Sequence, residues 1–145
     1  MIRAALFSLL CLPLCGALAA PAVAGEGLQG DWPMGTLAAP SGQSVQVQDL
    51  MIEENPHSGE LQVVVRLLAP QIAGDGLSGA ELRGDMDWAC LTWGVPVAQA
   101  EAATPGWVVV EMMEAPVERG IATPEIRRYF ESYRLEGPTC IWELF

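Results

Sequence analysis

Residues 78–94, SGAELRGDMDWACLTWG, carry the pattern of one amphipathic helix. Ser78 with Glu81 three residues on makes a capping box. Leu82, Met86, Ala89, Cys90 and Trp93 then recur with the 3.6-residue period of a buried stripe. Cys90 lies on that stripe and points inward. Gly84 weakens the pattern, since glycine inside a helix costs about 1 kcal/mol relative to alanine. Gly94, with Pro96 just beyond, reads as the stop.

Strand patterns flank this helix. On its N-terminal side Val45 and Val47 alternate with Ser44, Gln46 and Gln48, the period of a half-buried strand. Asn55-Pro56-His57-Ser58-Gly59 has turn chemistry. Leu61 to Leu68 follows as a valine-rich strand that Pro70 ends. On the C-terminal side Trp107 to Met113 reads as another strand. Thr123 as N-cap, Pro124 at the first helical position and Glu125 in the first turn then predict a second helix. Its buried stripe would be Ile126, Tyr129, Phe130 and Tyr133. Residues 134–136 and 140–145, joined through Gly137-Pro138, read as a closing hairpin. The order β-β-α-β-α-β-β predicts an α+β fold: an antiparallel sheet of about five strands with two helices packed on one face. The organisation is a leader at residues 1–24, an irregular Gly/Pro/Ala-rich lead-in at 25–43 and a single domain at 44–145.

The leader has Arg3 as its positive start, an apolar run from Ala4 to Leu14 and Ala22-Val23-Ala24 before Gly25, which together read as a cleaved signal peptide. A membrane span needs about 20 unbroken apolar residues, and Pro13, Gly16 and Pro21 interrupt this one. An exported, periplasmic product is therefore expected, with no membrane attachment after cleavage. Export also bears on Cys90 and Cys140, the two cysteines that remain. In an oxidising compartment an even pair reads as a disulfide, and the alternative is two buried free thiols.

Composition narrows the chemistry further. The 145 residues hold 18 acids and seven basic side chains, all arginine, for a formal net charge of −11. Cleavage removes Arg3 and no acid, so the mature chain is one unit more negative. Without lysine there is no Schiff-base or phosphate-loop chemistry that depends on it. Nucleic-acid binding rests on cationic neutralisation of phosphates, so no nucleic-acid partner is expected. His57, the only histidine, sits in turn chemistry, and neither a zinc site nor a Ser-His-Asp triad can be assembled around it. It reads as an exposed turn residue. No catalytic, cofactor or metal-ligating residue is assigned, and no cofactor is expected.

The carboxylates leave one enzymatic option. Glu81 and Asp85 share a helix face and offer a cation site; Arg83 and Asp87 share another and offer a surface ion pair. A solvated acidic face is the plainer reading of both. Trp88 lies off the main stripe of the helix. It is either an interface anchor or packed beneath a loop such as the lead-in.

Ala69-Pro70-Gln71-Ile72-Ala73, Asp85-Met86-Asp87-x-x-Cys90 and Glu131-x-Tyr133-Arg134-x-Glu136-x-x-x-Cys140-Ile141-Trp142-Glu143 together resemble a family of small exported proteins of unassigned function from alphaproteobacteria of the Rhodobacter type. The resemblance spans about residues 40–145 and transfers no activity. It implies the periplasm, and it makes Cys90 with Cys140 look like a shared feature. The expected function is a disulfide-stabilised, non-enzymatic periplasmic domain that binds an envelope protein, its oligomeric state open. The alternatives are a two-carboxylate hydrolase of cell-wall or glycan substrates and a small-ligand carrier with a pocket between sheet and helices.

Overall fold

The computed structural model describes Leu28 and residues 30–144. The expected leader, residues 1–24, lies outside the described residues. Among the described residues, six strands form one curled half-barrel sheet, and one long helical stretch spans residues 79–100, preceded by a short 3-10 turn at Pro70–Ala73. The strands are β1 (Thr36–Ala38), β2 (Ser44–Glu54), β3 (Leu61–Leu68), β4 (Trp107–Met113), β5 (Arg128–Glu136) and β6 (Thr139–Glu143), and they neighbour one another in chain order. β1 falls within the expected lead-in.

The sheet is mixed. All neighbours are antiparallel except β3 and β4, which run parallel with Val63 opposite Val108 and Leu67 opposite Met112. This corrects the antiparallel sheet of about five strands. The reason is connectivity: successive strands joined by a helix that crosses the sheet return in the same direction.

The second correction is the helix expected from Thr123. Thr123 closes one turn, with the Ile126 N–H donating to its carbonyl at 3.0 Å. The chain then extends as β5. Two helices on one face are thus replaced by one. The aromatic run around Tyr129, Phe130 and Tyr133 suits a pleated surface as well as a helix. Pairing decides the matter: β4 gains a partner along its whole length, and Tyr133 is buried opposite Val108.

The helix itself begins as read. Ser78 accepts from the Glu81 N–H, and the Glu81 carboxylate accepts from the Ser78 N–H, a complete capping box over α1 (Gly79–Ala89). Those bonds to Ser78 hold the Glu81 carboxyl below its ordinary range. Gly94 does not stop the helix. Cys90–Gly94 widens into a π turn, in which the Val95 N–H donates to the Cys90 carbonyl, and α2 (Val95–Ala100) continues. The wider turn accommodates Pro96, whose ring would clash with the carbonyl four residues back in a straight α-helix.

Helix and sheet bury one shared face. Met86, Ala89, Cys90, Trp93 and Val97 pack on Val63, Val65, Leu67, Val108, Val110, Met112 and Tyr133. The Trp93 indole N–H donates to the Pro33 carbonyl at 2.6 Å, which ties the lead-in to the core. A bulge in β2 between Val47 and Asp49 resets its alternation. Val45, Val47, Leu50 and Ile52 therefore all serve the core, while Asp49 stands opposite Arg66.

Candidate functional site

Among the described residues, no helix packs on the opposite face of the sheet. Strand alternation places Gln62, Val64 and Arg66 of β3, Trp107, Val109 and Glu111 of β4, and Ser132 of β5 on it. Two features share this face: a buried charge network and an open groove.

The network centres on Arg66 and Glu111, register partners across β3 and β4 and both fully buried. Arg66 Nε donates to Glu111 Oε2 at 2.8 Å, its Nη1 to Asp49, and its Nη2 to the Val117 carbonyl at 2.7 Å. Arg128 Nε donates to Glu111 Oε1 at 2.7 Å, and Arg119 lies within ion-pair reach of Glu111. Arg119 also pairs with Glu53. Gln48 donates to the same Val117 carbonyl at 2.9 Å. Residues 114–127 are thereby strapped over one end of the face. Every charge in the network has a partner of opposite sign, as burial demands.

The groove lies at the other end, with a volume of about 480 Å³. Val109, Trp107, Gln62 and Ser132 line it from the strands, and Asn55, His57, Ser58 and Glu60 from the β2–β3 turn. The turn is locally determined. Asn55 Oδ1 accepts from the backbone N–H groups of His57 and Ser58 at 2.9 and 3.2 Å, an Asx turn. Gly59 closes it at φ +72°, a conformation that side chains resist. Trp107 Nε1 donates to Glu60 Oε2 at 2.9 Å and holds turn to sheet. Asn55 Nδ2 donates to Gln62 Oε1 at 3.1 Å, and Gln62 Nε2 to Glu53 Oε1 at 3.0 Å. Glu53 holds Arg119, so a hydrogen-bond chain links groove and network.

Other residues singled out in the sequence have structural partners. Cys90 and Cys140 form a disulfide, with Cα atoms 6.4 Å apart, joining the helix to β6. Trp88 is half-buried and meets Trp93 edge-on, ring centroids 5.1 Å apart. Asp85 is buried and accepts from Ser41 N at 2.8 Å, Ser41 Oγ at 2.6 Å and Gln43 Nε2 at 2.7 Å, while Glu81 is spent on its cap. The two do not form a shared cation site. Arg83 stacks on Trp142, 3.2 Å from the ring centre, rather than pairing with Asp87. Asp87 instead accepts from the Tyr133 hydroxyl at 2.8 Å. Burial, then that bond, raises the Tyr133 phenol well above the tyrosine range.

His57 is exposed in its turn, as read, yet it lines the groove. The groove brings in one carboxylate, Glu60. The groove lies on the helix-free face, not between sheet and helix, where the small-ligand alternative put its pocket and where Trp93 and Met86 pack. Sequence reasoning missed the groove because its lining comes from three strands whose register no local pattern reports. Among the described residues no group of three or more His, Cys, Asp or Glu is placed to hold a metal ion, and no helix is long and apolar enough to cross a membrane.

The model of a family of unknown function (DUF6497) matches residues 15–145. No curated protein and no solved structure matches the chain.

Proposed function

The chain belongs to this family of unknown function, and from that premise we propose that it is an exported binding domain of the bacterial cell envelope, with the helix-free groove as its contact site. The observation that carries the reading is the groove itself. Its volume of about 480 Å³ falls in the range of small-ligand sites, and half its lining stands on strands of one sheet. Sites on strands hold their geometry better than sites on loops. The disulfide and the buried network stiffen the frame on either side of it. The leader pattern of residues 1–24 supports export to the periplasm, and the sequence resemblance supports an alphaproteobacterial source. The acidic surface favours a basic or cationic partner.

The test has two arms. Fractionation with intact-mass measurement checks that the periplasmic form begins at Gly25. Backbone NMR of that oxidised form, titrated with small molecules and with envelope extract, maps the contact site. Shifts concentrated at residues 55–62, 107–109 and 132 are expected. Shifts confined to the helix around Trp88 would move the contact to that face and overturn the groove reading.

A further inference from the structure

We infer that the groove takes a protonated amine carried on an apolar chain; this rests on the groove being the binding site. The argument is an inventory of what the lining has left to offer. Its indole and amide groups already serve protein acceptors: Trp107 donates to Glu60, and Asn55 and Gln62 each commit an N–H, to Gln62 and Glu53, while the exposed His57 imidazole adds one further N–H at the turn. The charged chemistry that remains is that of an acceptor. Glu60 uses Oε2 for Trp107, and its Oε1 accepts no hydrogen bond from a described residue. The hydroxyls of Ser58 and Ser132 also line the space and can accept. An ammonium group brings three donors and no acceptor, which suits one carboxylate oxygen and two hydroxyls. Val109 and the body of Trp107 supply apolar wall for the carbon chain.

Charge points the same way. Among the described residues Glu60 is the one acidic side chain in the lining, and no arginine lines the groove. Arg134, in register with Trp107, is committed to Glu136 and Glu143, and Arg119 to Glu53 and Glu111. A carboxylate ligand would meet the Glu60 charge with no arginine beside it, His57 being the one basic side chain among the described lining residues. The chain as a whole, at −11, draws cations toward it.

The experiment is an NMR titration of the oxidised exported chain with n-butylamine, 1-butanol, butyrate and methyl glucoside at neutral pH. Butylamine is expected to shift the amides around Glu60, Trp107 and Ser132 with saturable, salt-sensitive binding. Butanol, butyrate and the glucoside are expected to leave them in place. Glu60→Gln, at an exposed position that keeps an acceptor for Trp107, is expected to weaken amine binding at least tenfold with the fold unchanged. A free diamine and an N-acetyl-lysine amide, compared as further probes, distinguish a small-molecule source from a protein side chain, and tighter binding of either upholds the inference. Equal binding of butanol or the glucoside, or undiminished amine binding by Glu60→Gln, overturns the amine inference and leaves the groove reading standing. Silence of the groove to every probe overturns both.

Discussion

Gly94→Ala sets two physical effects against each other, and the structure decides between them. Helix propensity favours alanine over glycine by about 1 kcal/mol. Yet a Cβ at Gly94 would lie 2.6 Å from Val108 Cγ1, 2.8 Å from Cγ2 and 3.2 Å from Cβ. Carbon atoms pack at about 3.5–4.0 Å, so both valine methyl groups would have to move. Val108 is fully buried in β4, opposite Tyr133, and has no space to retreat into. Overpacking of this kind costs about 1–3 kcal/mol. The expected net change is therefore a loss of up to about 2 kcal/mol, against the sign that helix propensity alone predicts. Val108→Ala removes both γ carbons and, at about 0.8 kcal/mol for each carbon plus a cavity term, costs about 2 kcal/mol by itself. In that background Gly94→Ala meets only the Cβ of residue 108, at 3.2 Å, and its cost should fall to near zero. Urea unfolding of the four oxidised proteins, read by linear extrapolation, gives the coupling directly. A stabilising Gly94→Ala in the wild-type background, or the same cost in both backgrounds, would refute the close approach of helix to sheet.

Three further outcomes are expected. Replacing both Cys90 and Cys140 by serine should cost about 4 kcal/mol, because the bridge spans a sequence separation of 50 residues; an intact mass that rises by about 2 Da on reduction checks the bond itself. Arg66→Met should cost about 3 kcal/mol in a denaturant melt, since it takes from buried Glu111 one of its two hydrogen-bonding arginines and from the Val117 carbonyl one of its two donors; a cost below about 1 kcal/mol would mean that the network is not buried as described. The folded Tyr133 phenol is raised above its unfolded value of about 10. Its contribution is fully present below that pH and is lost as pH rises beyond it, by up to about 1.4 kcal/mol per pH unit. Melts of the wild type and Tyr133→Phe across the alkaline range should diverge in slope, and identical slopes would exclude Tyr133 as the source.

What could be read in the sequence were features set by near neighbours in the chain. Period-two alternation and β-branched residues marked β2, β3 and β4, because a strand shows its two faces residue by residue. Ser78 and Glu81 marked the helix start, because a cap closes within one turn. The pairing of Cys90 with Cys140 followed from compartment and count, without any geometry. The misreadings share a cause. Ile126, Tyr129, Phe130 and Tyr133 have helical spacing and Thr123-Pro124-Glu125 has helical start chemistry, yet β4 had an open edge that only an extended chain could satisfy. Gly94 carried the look of a stop because a helix-ending glycine and a glycine in close approach to a sheet are the same letter. The parallel return of β4, the burial of Arg66 against Glu111 and the groove under Glu60 depend on which strand lies beside which. The β3–β4 pairing joins residues 45 positions apart, as Arg66 with Glu111 shows. Local propensity is determined by the chain itself, while register and the surface it builds arise only when distant strands compete for the same hydrogen bonds.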